Sequence, residues 1–293
     1  MPSSPEALVL RRLGRRAVRS PGRGAGVPRL GVRVPYVLLG LLVLAAVVGP
    51  WLSPYRTDVP SGEAYLAPFS AGHLLGTDNL GLDLATRVLS GMRISLFAAV
   101  VVTGVAAVVG LVVGTLAGYA GGWVDSLLMR VTDLFLAFPA TIVAMAIVAG
   151  LGPGLTSSMI GISVVWWPLY ARIVRGEVRR ASRSLHVEAA RTSGTTGWRL
   201  LTRHVVPTVL PTVLVTASLD IGAVVMTLAA LAFIGLGSPA PSPELGLMAS
   251  GGMDYVLSAW WIPVVPGIAV GVLALIFNYV GDSVRTTLRA KEA

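Results

Sequence analysis

Runs of about 20 apolar residues, the length needed to cross the hydrocarbon of a bilayer, constrain this chain more than any other feature. They extend from Val34 to Trp51, Ile94 to Ala117, Leu127 to Ala149, Leu155 to Ile173, Pro207 to Phe233 and Trp260 to Val280. Backbone immersed in lipid must satisfy its N–H and C=O groups internally, so the runs predict an all-α membrane protein with six transmembrane helices. With 54% hydrophobic and 13% charged residues among 293, the composition lies far from that of soluble domains.

The net charge of +9 could suggest nucleic acid, but the placement of the basic residues argues for membrane topology instead. In a six-span arrangement 20 of the 23 Lys and Arg fall on one side, in the N-terminal tail, at Arg130, between Arg172 and Arg203, and in the C-terminal tail. Arg56, Arg87 and Arg93 are the other three. This asymmetry predicts both termini and the 172–204 loop in the cytoplasm. Residues 1–33, arginine-rich among Gly, Pro and Ser, read as a disordered cytoplasmic tail. The first span, 34–52, follows a basic stretch as a secretory signal would, but it is long for one and ends in Gly49-Pro50-Trp51-Leu52-Ser53-Pro54 without a cleavage pattern. Residues 53–90 form an extracytoplasmic segment, 91–280 the transmembrane core and 281–293 a cytoplasmic tail.

Several chemistries are excluded by inventory. The chain has no cysteine, so disulfides and thiolate metal sites cannot form. His73, His186 and His204 are dispersed, and Lys291 is the sole lysine, at the tail, so no phosphate-binding G-x-x-x-x-G-K-[ST] loop exists. No catalytic constellation for a membrane-embedded enzyme can be assembled either. If ATP drives this protein, another polypeptide hydrolyses it.

The long charged interruption, 172–204, separates the fourth and fifth spans. Glu177 to Ser193 is rich in helix formers, and Leu185 and Ala189, four apart, share one face as a surface-docked helix requires. Gly194 supplies a stop, Thr195 or Thr196 can cap a new helix, and Trp198, Leu201 and Val205 recur at helical spacing. A bent pair of helices is expected. The alternative is a solvated loop in which Glu188 pairs with Arg191, worth roughly 0.2 to 0.5 kcal/mol.

Within the spans, Asp133 and Asp220 are possible polar sites, since an ionised carboxylate there must face protein or water. Each could contact substrate or relay protons. Alternatively Asp133 meets Arg130 and Asp220 is a hydrogen-bonded interface residue. Gly110, Gly114 and Gly118 form small-xxx-small repeats that permit close helix contact. Trp166, Trp167 and Tyr170 suit a headgroup region, and Pro211 is expected to bend the fifth span.

Glu188-Ala189-Ala190-Arg191-Thr192-Ser193-Gly194, with Pro207 beyond it, resembles the E-A-A-x-x-x-G loop of ABC transporter permeases. Other stretches are similar to the binding-protein-dependent oligopeptide, dipeptide and nickel importers. His73-Leu74-Leu75-Gly76-Thr77-Asp78-Asn79-Leu80-Gly81-Leu82-Asp83 followed by Arg93-Ile94-Ser95-Leu96 resembles H-x-L-G-T-D-x-x-G-R-D and A-R-I-S-L. Asp133 to Pro139 resembles D-x-x-x-A-F-P, Phe233 to Pro243 resembles F-L-G-L-G-x-x-P-P-x-P, and Asn278 to Arg285 resembles N-x-x-G-D-x-x-R. The likeness spans residues 73 to 285 and is greatest to the C-type permease of the pair. Leu82 stands where arginine is usual and Leu228 where an acid is frequent.

The resemblance implies a multi-pass permease of the bacterial cytoplasmic membrane, without an ATPase site or cofactor of its own. Its implied partners are a second homologous permease, two ATPases that bind ATP and Mg, and an extracytoplasmic binding protein delivering peptides. A nickel chelate is the alternative cargo, and an ion-coupled secondary transporter the alternative machine. The coupling loop would present Glu188, Ala189, Ala190, Arg191 and Gly194 to the ATPase, with Gly194 making the bend.

Overall fold

The computed structural model describes residues 29–70 and 72–292. Of the expected disordered tail, 1–33, residues 1–28 lie outside them, and Arg29 to Arg33 belong instead to the first helix. The fold is helical: α1 (Arg29–Leu52), α2 (Leu84–Ala120), α3 (Gly122–Leu136), α4 (Ala140–Leu151), α5 (Leu155–Ala181), α6 (Leu185–Thr192), α7 (Gly197–Leu200), α8 (Val206–Phe233), α9 (Leu245–Gly251) and α10 (Trp261–Glu292). Five are long and apolar enough to cross a membrane, and the bent pair α3–α4 makes a possible sixth.

That pair corrects the expectation of a straight third span. The two helices meet at 84°, and Pro139 stands between them. Proline has no N–H to continue the ladder and disfavours helical backbone at the residue before it, which is what ends α3 short of Phe138. Pro211, by contrast, lies within a continuous α8. The irregular backbone comes earlier, as a π-helical turn over Leu201–Val205. Pro207 there has no N–H to give to the Arg203 carbonyl four residues back.

The Gly110, Gly114, Gly118 stripe seats α2 against α5. A Cβ on Gly114 would stand 2.5 Å from the Ala171 carbonyl oxygen and 2.7 Å from the Val174 Cβ, while one on Gly110 would stand 2.2 Å from the Tyr170 Cβ. Only hydrogen at those positions allows such backbone approach. The two long helices therefore meet in direct backbone contact.

At one end of the pair, the His73 to Asp83 stretch folds into a polar cap over the start of α2. Asp83 is the N-cap residue: its Oδ2 accepts from the Thr86 N–H at 2.8 Å and from the Thr86 hydroxyl at 2.6 Å, while its Oδ1 lies 2.7 Å from His73 Nδ1. The Tyr55 ring stacks on His73 at 4.5 Å. Buried Arg87 lies 3.5 Å from Asp78 and donates to the carbonyls of Thr57 and Pro241, and Trp261 Nε1 donates to the Thr77 carbonyl. These bonds tie the cap, the start of α10 and the 239–243 loop together. His73, Thr77, Asp78 and Asp83 are buried in these contacts, whereas Leu74, Asn79 and Leu80 of the same stretch are exposed.

Candidate functional site

At the other end, α5, α6, α7 and the π turn form the elbow. α5 stops at Ala181, and Ser182 to Ser184 make a turn in which the Ser184 hydroxyl donates to the Ala181 carbonyl at 2.6 Å. The expected helix from Glu177 to Ser193 is thus broken, and α6 begins only at Leu185.

Val187 is the anchor of α6. It is fully buried in a cluster with Val174 and Val178 of α5, Leu200 and Leu201, and Val205 of the π turn, and Ala190 packs on the same cluster. The docked face is therefore Val187 with Ala190, not Leu185 with Ala189. Leu185 is 86% exposed and Trp198 73%, so both apolar side chains point outward beside Glu188 and Ala189. Sequence spacing grouped Trp198 with Leu201 and Val205; only the last two are buried.

α6 ends as the sequence predicts. Gly194 has φ +85°, a left-handed backbone, and the N–H groups of Ser193, Gly194 and Thr195 close back on the carbonyls of Ala189, Arg191 and Ala190 at 3.0, 3.1 and 3.0 Å. A Cβ at Gly194 would meet nothing within 4 Å, so the requirement is conformational, not steric. Thr196 occupies the N-cap of α7 without a side-chain capping bond. Glu188 and Arg191 are exposed and make no ion pair with each other, which removes the local-pair account of the loop.

The elbow is braced from α2 and α3. The Tyr119 hydroxyl donates to the Gly197 carbonyl at 3.2 Å. Asp125, in the first turn of α3 and 5% exposed, receives both Arg175 and Arg179 of α5: Arg175 binds through Nε and through Nη2 at 2.7 Å, and Arg179 through Nη2 at 2.5 Å. Sequence reasoning missed this clamp and missed Val187. The one available signal for the clamp was two arginines one turn apart on α5; nothing near Asp125 marks it as their partner. Asp133 pairs not with Arg130 but with Arg172 at 2.6 Å, on an exposed surface. Asp220 lies far along α8 and takes no part in the elbow.

The elbow carries no array of groups suited to bond-making. It offers a short helix whose outer face exposes Leu185, His186, Glu188, Ala189 and Arg191, seated on the ends of long helices.

Residues 110–291 match the family described as binding-protein-dependent transport system inner membrane component. The chain is 39% identical over 255 residues to a probable D,D-dipeptide transport system permease protein, DdpC, of Escherichia coli, covering 87% of this chain and 86% of the relative. It is 38% identical over 267 residues to the nickel transport system permease protein NikC of the same organism, covering 89% and 94%. Among solved structures, an inward-facing MetNI methionine ABC transporter chain aligns with a TM-score of 0.55 at 19% identity, covering 68% of this chain and 95% of that one.

Proposed function

Because the chain belongs to the family of binding-protein-dependent transport system inner membrane components, the membrane-spanning permeases of ABC importers, we propose that it pairs with a second permease to form the pathway for a peptide. Two ATPase subunits, which bind ATP and Mg, drive it, and an extracytoplasmic binding protein supplies the cargo. Both termini and the elbow face the cytoplasm, in keeping with the excess of basic residues there. The family favours this ATP-driven reading over an ion-coupled one.

The observation that carries the proposal is the elbow's two-sided construction. Its inner side, Val187 and Ala190, is fused to the ends of α5 and α8, whereas its outer side presents Leu185, Glu188, Ala189 and Trp198 to solvent. An ATPase that closes on the outer side would move α6, and α6 would carry the α2–α5 pair with it. Glu188 meets a basic group of the ATPase, Ala189 allows close approach, Arg191 lies beside them and Gly194 holds the bend. Coupling is the role of these five positions.

Peptide is the preferred cargo because the D,D-dipeptide relative is named for it. A nickel chelate is the second reading, favoured by the 38% identity to the nickel relative. The test of coupling is to substitute Glu188→Ala and Gly194→Val in the assembled transporter and measure ATP hydrolysis with and without cargo-loaded binding protein. Both variants should insert and assemble but lose most of the stimulation. Full stimulation in both would overturn the assignment.

A further inference from the structure

A cleft of about 630 Å³ opens beside the polar cap, between the end of α1 and the first turns of α2. Arg56 and Asp58 line it and are bonded to each other at 3.2 Å, so their charges cancel. Arg93 also lines it, is exposed, and makes no ion pair among the described residues. The cleft therefore carries one unmatched positive charge. Ser90, three residues earlier on the same face of α2, is 4% exposed and lines the cleft, and its hydroxyl makes no hydrogen bond among the described residues. Helix hydroxyls elsewhere, such as those of Thr132, Thr216 and Thr227, donate to the carbonyl four residues back. That of Ser90 is left for an occupant.

Helical side chains lean toward the N-terminus of their helix, so Arg93 reaches from the edge of the apolar run 94–117 up toward the polar cap. Tyr170, which the sequence placed at headgroup level, is instead buried in the bundle, but Trp51 is 80% exposed at the end of α1 and borders this cleft. Its ring suits the level of lipid headgroups. Beyond Arg93 the same face of α2 continues as Phe97, Val100 and Val108, all exposed, and a Cβ on Gly104 between them would meet nothing within 4 Å. A cation and a buried hydroxyl thus stand at the head of an open apolar stripe. That pattern fits an amphiphile with a singly charged phosphodiester, which a guanidinium grips by charge-assisted hydrogen bonds, and an acyl chain below it. Inorganic phosphate would use the charge and leave the stripe bare.

We propose that this cleft binds the phosphodiester headgroup of an anionic phospholipid of the outer leaflet, with Arg93 and Ser90 holding the phosphate and Phe97 and Val100 lying along an acyl chain. The site rests on the membrane topology and is independent of the cargo.

For the test, the full-length protein, with the subunits that copurify with it, is placed in nanodiscs containing phosphatidylglycerol that bears a photoreactive diazirine on one acyl chain. Adducts are located by proteolysis and mass spectrometry. Wild type should be labelled between residues 97 and 108. Labelling should fall about fivefold in Arg93→Gln, the factor one basic residue contributes beside an anionic headgroup, and recover in Arg93→Lys. Excess unlabelled phosphatidylglycerol should compete, and inorganic phosphate should not. Equal labelling of wild type and Arg93→Gln, or displacement by inorganic phosphate, would overturn the proposal. So would equal labelling of wild type by a photoreactive diacylglycerol that lacks the phosphate, a comparison that holds whether or not the variants fold. An unlabelled wild type would overturn it too, and cross-linking of Arg93→Cys to another subunit would then identify this face as a protein interface.

Discussion

Arg175 lays two nitrogens of its guanidinium against both oxygens of Asp125, fifty residues earlier in the chain, and so joins the first turn of α3 to the last turns of α5. Arg179 adds a third bond to the same carboxylate. The elbow hangs directly from this end of α5, so the orientation of α6 depends on the clamp. Asp125→Asn keeps the shape but removes the charge, leaving two arginines that are only partly exposed to be rehydrated. The expected loss is about 1–3 kcal/mol, seen as a lower midpoint in thermal unfolding of the detergent-solubilised complex. Cargo-stimulated hydrolysis should fall with it.

Val187 tests whether α6 is docked as described. Val187→Ala removes two buried methyl groups and should cost about 1.6 kcal/mol at about 0.8 kcal/mol each. Amide hydrogen exchange over 185–192 should then rise by about an order of magnitude. Leu185→Ala, on the exposed face, should leave that exchange unchanged while weakening copurification of the ATPase.

The glycine stripe makes a paired prediction. Gly114→Ala forces a methyl within 2.5 Å of the Ala171 carbonyl and should destabilise the α2–α5 pair by about 1–3 kcal/mol. Gly104→Ala, on the same helix with nothing within 4 Å, should be neutral or stabilising by up to about 1 kcal/mol. Equal thermal shifts in the two variants would contradict the packing.

The cap at the far end predicts that Asp83→Ala costs about 2 kcal/mol. One part is the lost N-cap, the other the stranding of His73 and Thr86 in a buried network. Unfolding midpoints of the purified complex check this, and replacing surface Asp58, whose carboxyl is held below the usual range by its bond to exposed Arg56, should change little.

Much of the architecture was legible because it follows from local physics. Apolar run length marked the long apolar helices, small-xxx-small spacing marked a face of α2 fit for close contact without naming its partner, and Gly194 marked the end of α6 through a backbone conformation that glycine favours. The misreadings came from relations that sequence spacing does not encode. Leu185 and Val187 are equally apolar, and only the positions of Val178, Leu201 and Val205 decide which one is buried. Pro139 could have been read as a break, but its effect was masked by an apolar run that continues across it. Asp125 and Asp220 acquire their surroundings from α5, and Asp133 found Arg172 on that helix rather than the nearby Arg130.

The most direct measurement exploits the absence of cysteine from this chain. Ala189→Cys on the outer face of α6 is combined with single cysteines along the cleft of the ATPase subunit in otherwise cysteine-free partners, and disulfide formation is followed by gel shift with and without ATP. The account predicts rapid cross-linking between Ala189→Cys and the cleft, and none from Val187→Cys, whose side chain points into the bundle. Cross-linking from position 187 but not 189, or labelling of 189 only from the outside of intact cells, would contradict it.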